Sequence, residues 1–181
     1  QDLPISSNEV AVVIANPIIK AVSLTGSEQA GIAVATEAGK HLKKCVLELG
    51  GSNAFIILED ANLDKAVAIA VNARMQNAGQ SCIAAKRFLV HENIVEEFVA
   101  KLKVAIQNLK TGNPFDKEMQ IGSLARVDLA EELEAQVQKS IQMGADLIVG
   151  GTRKEAFYEP TILANVTTEM PVFNEETFGP V

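Results

Sequence analysis

The chain is poor in the residues that build disulfide frameworks and metal sites. Its 181 residues include only two cysteines, Cys45 and Cys82, and two histidines, His41 and His91. A disulfide framework needs more cysteines, and the spacing of these four residues matches no common zinc pattern. We therefore expect free thiols, a reducing cytoplasmic setting and no bound metal.

Basic residues and long apolar runs are scarce as well. Lysine and arginine number 16 against 23 acidic residues, a net charge of −7, which argues against nucleic acid as a partner. No apolar run is long enough to span a bilayer, and the N-terminus lacks the basic and apolar regions of a secretory signal, so no membrane association is expected. Because the chain opens on Gln1 and stops after "FGPV" without a closing element, we expect it to be an internal piece of a longer protein.

What is present is an ordinary globular composition, 48% apolar, with strand-like and helix-like patterns in alternation. Strands are predicted for "KAVSLTG" (20–26), "KCVLELGG" (44–51), "AFIILED" (54–60, covered on both faces) and "RFLVHE" (87–92). Helices are predicted over 8–15, over 27–42, from Asp60 or Asn62 to a break at Gly79, from a cap at Asn93, and over about 128–143. The alternation predicts an α/β architecture with largely parallel sheets, divided at Gly50-Gly51.

The stretch "TGSEQAG" (25–31) joins the first strand to a helix through a glycine turn. Free N–H groups and the helix dipole at such a turn favour a bound phosphate. An ordinary strand–helix turn, with Ser27 as the helix cap, explains the same letters equally well.

The stretch "LELGG" (47–51) places Glu48 in an otherwise apolar strand. A partly desolvated carboxylate has a raised pKa and is a better general base near neutral pH. The alternative is a strand-end glutamate that turns to solvent or pairs with Lys44.

The stretch "NAGQSC" (77–82) ends a helical pattern in a glycine-containing loop that carries Cys82. An exposed cysteine there can act as a nucleophile if N–H groups or cations stabilise its thiolate. Lys86 and Arg87 follow closely, although strand geometry can direct both away from the loop. A small buried thiol is the alternative.

The last stretch, "EETFGPV" (175–181), combines two acids, an aromatic residue and a Gly-Pro turn. These residues could hold a ribose and a ring, or they could form a surface loop.

Taken together, the four stretches resemble the aldehyde dehydrogenase superfamily in their order and their intervals. "KKCVLELGGS", "AAKRF" and "SLARVDL" are most similar to its bacterial succinate-semialdehyde dehydrogenase branch. The resemblance implies a three-layer α/β/α fold. Residues 1–50 would be the end of a Rossmann-like NAD(P)-binding domain, and residues 51–181 most of the catalytic domain, truncated at its C-terminal end.

The resemblance also implies roles for individual residues. Cys82 would be the nucleophile that forms a thiohemiacetal and then a thioester, and Glu48 would activate the water that hydrolyses the thioester. The presence of Glu48 favours hydrolysis over transfer to phosphate or coenzyme A. Cys45 would be a packed thiol. The implied contacts of NAD or NADP are Thr25, Gly26 and Ser27 at the turn, the Leu49 and Gly50 backbone, Glu176 at the ribose, and Phe178 against the ribose or nicotinamide ring.

At Gln76 the sequence differs from the family branch that it resembles, and this difference bears on the identity of the substrate. Several succinate-semialdehyde dehydrogenases have an arginine at this position for the distal carboxylate, and Arg74, two residues earlier on a helix, would point elsewhere. Succinate semialdehyde is the expected substrate, with another small aliphatic aldehyde as the alternative. The full-length protein is expected to be a homo-oligomer, a dimer or tetramer. We expect the isolated chain to have little activity, and an inactive fragment or scaffold is the competing interpretation.

Overall fold

A computed structural model describes residues 2–181, which divide between Gly50 and Gly51 into two compact units, the first unit up to Gly50 and the second unit Gly51–Val181. The assignment of these units to cofactor binding and catalysis remains a prediction. Among the described helices, none has both the length and the apolar character needed to cross a membrane.

The first unit is built around two parallel strands joined by a helix. Strands β1 and β2 pair in parallel from Ala21 opposite Lys44 to Gly26 opposite Leu49. Side chains of β2 alternate between exposed and partly buried positions, as the period-2 pattern predicts. The elements are α1 (Ser7–Ala15), β1 (Ala21–Gly26), α2 (Glu28–Lys40) and β2 (Lys44–Leu49).

The second unit packs helices against short two-stranded sheets. Strand β3 pairs with β4 in parallel, whereas β5 with β8 and β6 with β7 are antiparallel. The elements are β3 (Asn53–Ile57), α3 (Leu63–Met75), β4 (Ala85–Val90), α4 (Val95–Gln107), α5 (Val127–Gln142), β5 (Asp146–Val149), β6 (Arg153–Lys154), β7 (Phe157–Tyr158), β8 (Ile162–Ala164) and α6 (Pro171–Asn174). The prediction of largely parallel sheets therefore holds only for the first two pairs. A two-residue connection such as the one between β6 and β7 permits only antiparallel pairing.

The core of the second unit lies where α3, α4 and α5 meet the sheets. Val67, Phe98, Leu133 and Val137 are buried there. The Phe98 ring also stacks near Phe88 on β4, with ring centroids 6.4 Å apart. This packing holds α3 and β4, between which the cysteine stretch lies, in the core of the second unit.

Two predictions about these elements are wrong. Strand β3 is not covered on both faces: Ile57 is 2% exposed in the core, whereas its neighbour Ile56 is 65% exposed. The helices of the described chain cover only the face that carries Ile57. Asn93 does not cap α4, because its amide donates to the Glu59 carboxylate at 2.7 Å, and Ile94 occupies the cap position instead.

Candidate functional site

Helix α3 ends before the cysteine stretch, and it ends earlier than the sequence predicts. The break lies at Gln76 and not at Gly79, because a 3-10 segment, Gln76–Gly79, contains three consecutive left-handed residues. The φ angles are 52° at Asn77, 53° at Ala78 and 75° at Gly79. Asn and Gly tolerate this conformation, but an alanine there is strained and persists only when its surroundings hold it.

Side chains brace the loop that follows, residues 76–82, which we call the cysteine loop. Asn77 Nδ2 donates to the Gln80 carbonyl at 3.0 Å, and Gln80 Nε2 donates to the Asn77 carbonyl at 3.1 Å. Gln80 Oε1 also accepts from the backbone N–H of Ala125 at 2.8 Å. The loop thus has a defined shape and an anchor outside itself.

Cys82 is exposed at the end of this loop and forms no disulfide. Its carbonyl accepts from Asn53 Nδ2 at 3.1 Å and from Lys86 Nζ at 3.2 Å. Within residues 2–181, the backbone N–H of Cys82 donates to no acceptor. An exposed thiol on a fixed backbone with a free N–H beside it suits a nucleophile that needs a donor for a developing oxyanion.

Lys86 points back towards the cysteine loop. Its side chain is fully buried, and Nζ donates to the Ser81 carbonyl at 3.1 Å as well as to that of Cys82. The same Nζ lies 3.1 Å from Glu176 Oε1, so Lys86 links the cysteine loop to the carboxylate predicted to bind the ribose. Arg87 does turn away: it donates to the Ser52 carbonyl at 2.9 Å.

Arg74 also connects the cysteine loop to the stretch 175–181, a role that the sequence patterns do not predict. Its guanidinium is buried and donates to four carbonyls, those of Gly79, Ala85, Thr177 and Gly179. Burial lowers its pKa to about 10, an effect opposed by nearby Glu176, so the group stays charged at neutral pH. A signal existed: Arg74 is on the buried helical stripe of Val67 and Ala70.

The loop over residues 175–180, which we call the C-terminal loop, is braced from several sides. Gln136 Nε2 donates to the Glu175 carboxylate at 2.9 Å, and the Pro180 carbonyl accepts from the Thr161 N–H at 2.8 Å. The Glu176 side chain is 24% exposed beside Lys86, and Phe178 is 39% exposed. A carboxylate and an aromatic face are therefore both accessible on this loop.

The other predicted residues meet at the carboxyl ends of β1 and β2 in the first unit. Thr25 lies opposite Glu48, and Gly26 opposite Leu49, with Gly50 next along the chain. Ser27 caps α2, since its hydroxyl accepts from the Ala30 N–H at 3.3 Å. Ligands of parallel α/β sheets bind at such strand ends.

Of the two environments that the sequence allows for Glu48, the structure shows the solvent-exposed one. Glu48 is exposed on β2 and is not partly desolvated, because the alternation of the strand turns Cys45, Leu47 and Leu49 inwards. Leu49 packs against Gly31 of α2, where a Cβ would lie 2.7 Å from Leu49 Cδ2.

Gln76 is exposed at the start of the cysteine loop. A cavity of about 620 Å³ in the second unit is lined mostly by apolar side chains and reaches Arg74, Lys86 and Thr177. Neither Gln76 nor Cys82 lines it. The predicted substrate residues thus lie on open surface of the described chain.

The aldehyde dehydrogenase family model matches residues 5–181. The NAD(P)+ succinate semialdehyde dehydrogenase of Escherichia coli is 50% identical over 175 residues, and the NADP+ succinate-semialdehyde dehydrogenase of Deinococcus radiodurans is 47% identical over 176. These matches cover 95% and 96% of this chain but 38% and 37% of the two relatives.

Solved structures agree with these matches. A succinic semialdehyde dehydrogenase from Streptococcus pyogenes in complex with NADP+ matches with a TM-score of 0.92 and 38% identity, over 97% of this chain and 39% of that one. A succinate-semialdehyde dehydrogenase from Burkholderia pseudomallei matches with a TM-score of 0.91 and 35% identity, over 97% and 37%. The predicted aldehyde dehydrogenase-like α/β fold is confirmed, in a chain that spans roughly two-fifths of its relatives' length.

Proposed function

Because the chain belongs to the aldehyde dehydrogenase family, we propose that it supplies the nucleophile and part of the cofactor site for oxidation of succinate semialdehyde to the acid by NAD+ or NADP+. The observation that carries the proposal is the exposed Cys82 thiol on a braced loop, next to its own unpaired N–H. The substrate is chosen because the E. coli and D. radiodurans relatives are named for it.

Cys82 performs the bond-forming step. Its thiolate attacks the aldehyde carbon, a C–S bond forms, and the carbonyl electrons move to oxygen. The Cys82 N–H is free to donate to that oxygen, and the Asn53 and Lys86 contacts to the Cys82 carbonyl hold the peptide in place beforehand. A donor that is already oriented costs no reorganisation during the reaction.

A bound NAD(P)+ would supply the hydride acceptor through which the tetrahedral adduct on Cys82 becomes a thioester. The chain's residues fit such a cofactor in each unit separately. In the first unit, Thr25 and Gly26 lead into the capped N-terminus of α2, a favourable place for phosphate. In the second, Glu176 has a partly exposed carboxylate for ribose hydroxyls, and Phe178 has an accessible ring for packing.

The remaining roles complete the proposal. Glu48 is the general base that activates water for thioester hydrolysis, since its exposed carboxylate is free to accept a proton from water. Leu49 and Gly50 present backbone groups to the cofactor. Gln76 offers an amide to the substrate's distal carboxylate. On this proposal residues 1–50 belong to the cofactor-binding domain and residues 51–181 to the catalytic domain.

The test is a chimera in which this chain replaces the matching segment of the E. coli relative. We expect NAD(P)+ reduction with succinate semialdehyde, and a loss of at least about three orders of magnitude in kcat for Cys82→Ser. Cys45→Ser, which removes the partly buried thiol, is the matched control and should keep the rate. A folded chimera without activity, or an active Cys82→Ser chimera, contradicts the proposal.

A further inference from the structure

The cysteine loop and the C-terminal loop are joined by one buried cation. Arg74 Nη2 donates to the Thr177 carbonyl at 2.9 Å, to the Gly79 carbonyl at 3.2 Å and to the Gly179 carbonyl. Nη1 donates to the Ala85 carbonyl at 3.3 Å, at the start of β4. We call Arg74 and these four carbonyls the carbonyl clasp.

The clasp is made of backbone partners and not of an ion pair. Within residues 2–181, no carboxylate oxygen lies within 4.0 Å of the Arg74 guanidinium; four carbonyls accept from Nη1 and Nη2 instead, and Nε has no partner. Carbonyls are fixed to the main chain, so each bond restrains backbone position directly. A buried cation held in this way is costly to displace.

The four carbonyls lie on segments that carry the proposed nucleophile and the proposed ribose ligand. Gly79 is the third left-handed residue of the cysteine loop, three residues before Cys82. Thr177 follows Glu176 directly, and Gly179 follows Phe178. Gly79 and Gly179 approach so closely that a Cβ on Gly79 would lie 2.1 Å from the Gly179 carbonyl oxygen. One guanidinium thus sets the separation between the nucleophile's loop and the loop proposed to hold the ribose.

We propose that Arg74 is a positioning residue for Cys82, acting through the carbonyl clasp. The inference rests on the proposed role of Cys82 as the nucleophile. Arg74 touches neither substrate nor thiol; it holds the cysteine loop in the strained shape that presents Cys82 and its free N–H together. It also couples the two loops, so that loosening one loosens the other.

The test measures alkylation of Cys82 by iodoacetamide, from about pH 6 to about pH 10, with Cys45 as internal reference. For Arg74→Ala we expect the Cys82-to-Cys45 rate ratio to fall about tenfold over this pH range, because the cysteine loop no longer holds the thiol and the Cys82 N–H in one fixed arrangement. Arg74 lines the 620 Å³ cavity, so methylguanidinium at millimolar concentration should reach the vacated site and restore the ratio, whereas urea should not.

The matched control is Arg153→Ala. Arg153 is also an arginine of the second unit and is 23% exposed, but it donates to the Glu134 carboxylate at 2.7 Å and hydrogen-bonds to neither loop. We expect its rate ratio to stay unchanged. Amide exchange should rise in residues 76–82 and in residues 175–180 of Arg74→Ala, and in neither loop of Arg153→Ala.

If Arg74→Ala does not fold, Arg74→Lys decides the matter. An ammonium keeps the charge but cannot span four carbonyls, so a reduction of about threefold in the rate ratio is expected, at unchanged circular dichroism. An unchanged ratio, or exchange that rises in only one loop, overturns the inference. Equal labelling of Cys82 and Cys45 in the unsubstituted chain contradicts the proposed function, while the exchange measurement still tests the clasp.

Discussion

Gly79→Ala probes the tightest backbone approach in the site. The substitution places a methyl group where the Cβ would lie 2.1 Å from the Gly179 carbonyl oxygen and 2.8 Å from Arg74 Nη2. Both neighbours are parts of the carbonyl clasp, and one of them is main chain. The methyl group can be accommodated only if the two loops separate.

Three costs add up for Gly79→Ala. A left-handed alanine costs about 1–2 kcal/mol, and displacement of tightly packed backbone about 1–3 kcal/mol. Loss of the bond from Arg74 to the Gly179 carbonyl, a hydrogen bond to a buried charge, costs about 1.5–3 kcal/mol more. The sum is about 4 kcal/mol or more, a large share of the roughly 5–15 kcal/mol that stabilises a typical domain.

Gly144→Ala is the matched control, because Gly144 also has a positive φ, 108°, but a Cβ there would meet nothing within 4 Å. It should bear the backbone cost alone, about 1–2 kcal/mol. In urea titrations followed by circular dichroism, with m near 2 kcal/mol/M, the midpoint should fall by about 2 M for Gly79→Ala and by about 1 M or less for Gly144→Ala. Equal midpoints for the two variants would refute the close approach as the source of the effect.

Three further outcomes are expected. Tyr158 is fully buried with an unpaired hydroxyl, and burial raises its pKa to about 12. Because the phenol of the unfolded chain ionises from about pH 10, the free energy of unfolding measured in urea titrations should fall between pH 10 and pH 12. Tyr158→Phe should abolish that fall. Lys86→Met removes two hydrogen bonds from a buried ammonium to the Ser81 and Cys82 carbonyls and also the ion-pair partner of Glu176. It should lower the free energy of unfolding by about 3 kcal/mol, whereas Lys110→Met, at an exposed pair, should change it little. In the chimera, Gln76→Arg should lower KM for succinate semialdehyde by about fivefold, since a charged donor binds a carboxylate more strongly than an amide does; an unchanged KM would remove Gln76 from the substrate site.

Sequence patterns correctly predicted the features that depend on residues close together in the chain. Ser27 caps α2 as expected, and Asn62 caps α3 by accepting from the Lys65 N–H at 3.0 Å. The alternation in β2 is visible in sequence because burial repeats every two residues. By contrast, the run in β3 is apolar on both faces, and composition cannot tell which face the helices cover.

The end of α3 shows where such rules stop. "QNAGQSC" contains one glycine, which the sequence offers as the only natural break. The chain instead leaves the helix at Gln76 and places Ala78 in a left-handed conformation that alanine avoids. Bonds from other segments stabilise this shape, including the one from the Ala125 N–H to Gln80. A local pattern does not contain those partners.

The carbonyl clasp is invisible in sequence for a related reason. Every residue has a backbone carbonyl, so no residue type in the sequence marks the four carbonyls that accept from Arg74. Two of them, on Thr177 and Gly179, lie 103 and 105 positions later in the chain. What sequence does show is a cation on a buried stripe two residues before a loop, and such a charge needs partners. It follows that the shape around Cys82 depends on residues 175–180, and that a chain lacking them would leave Arg74 buried without half of its acceptors.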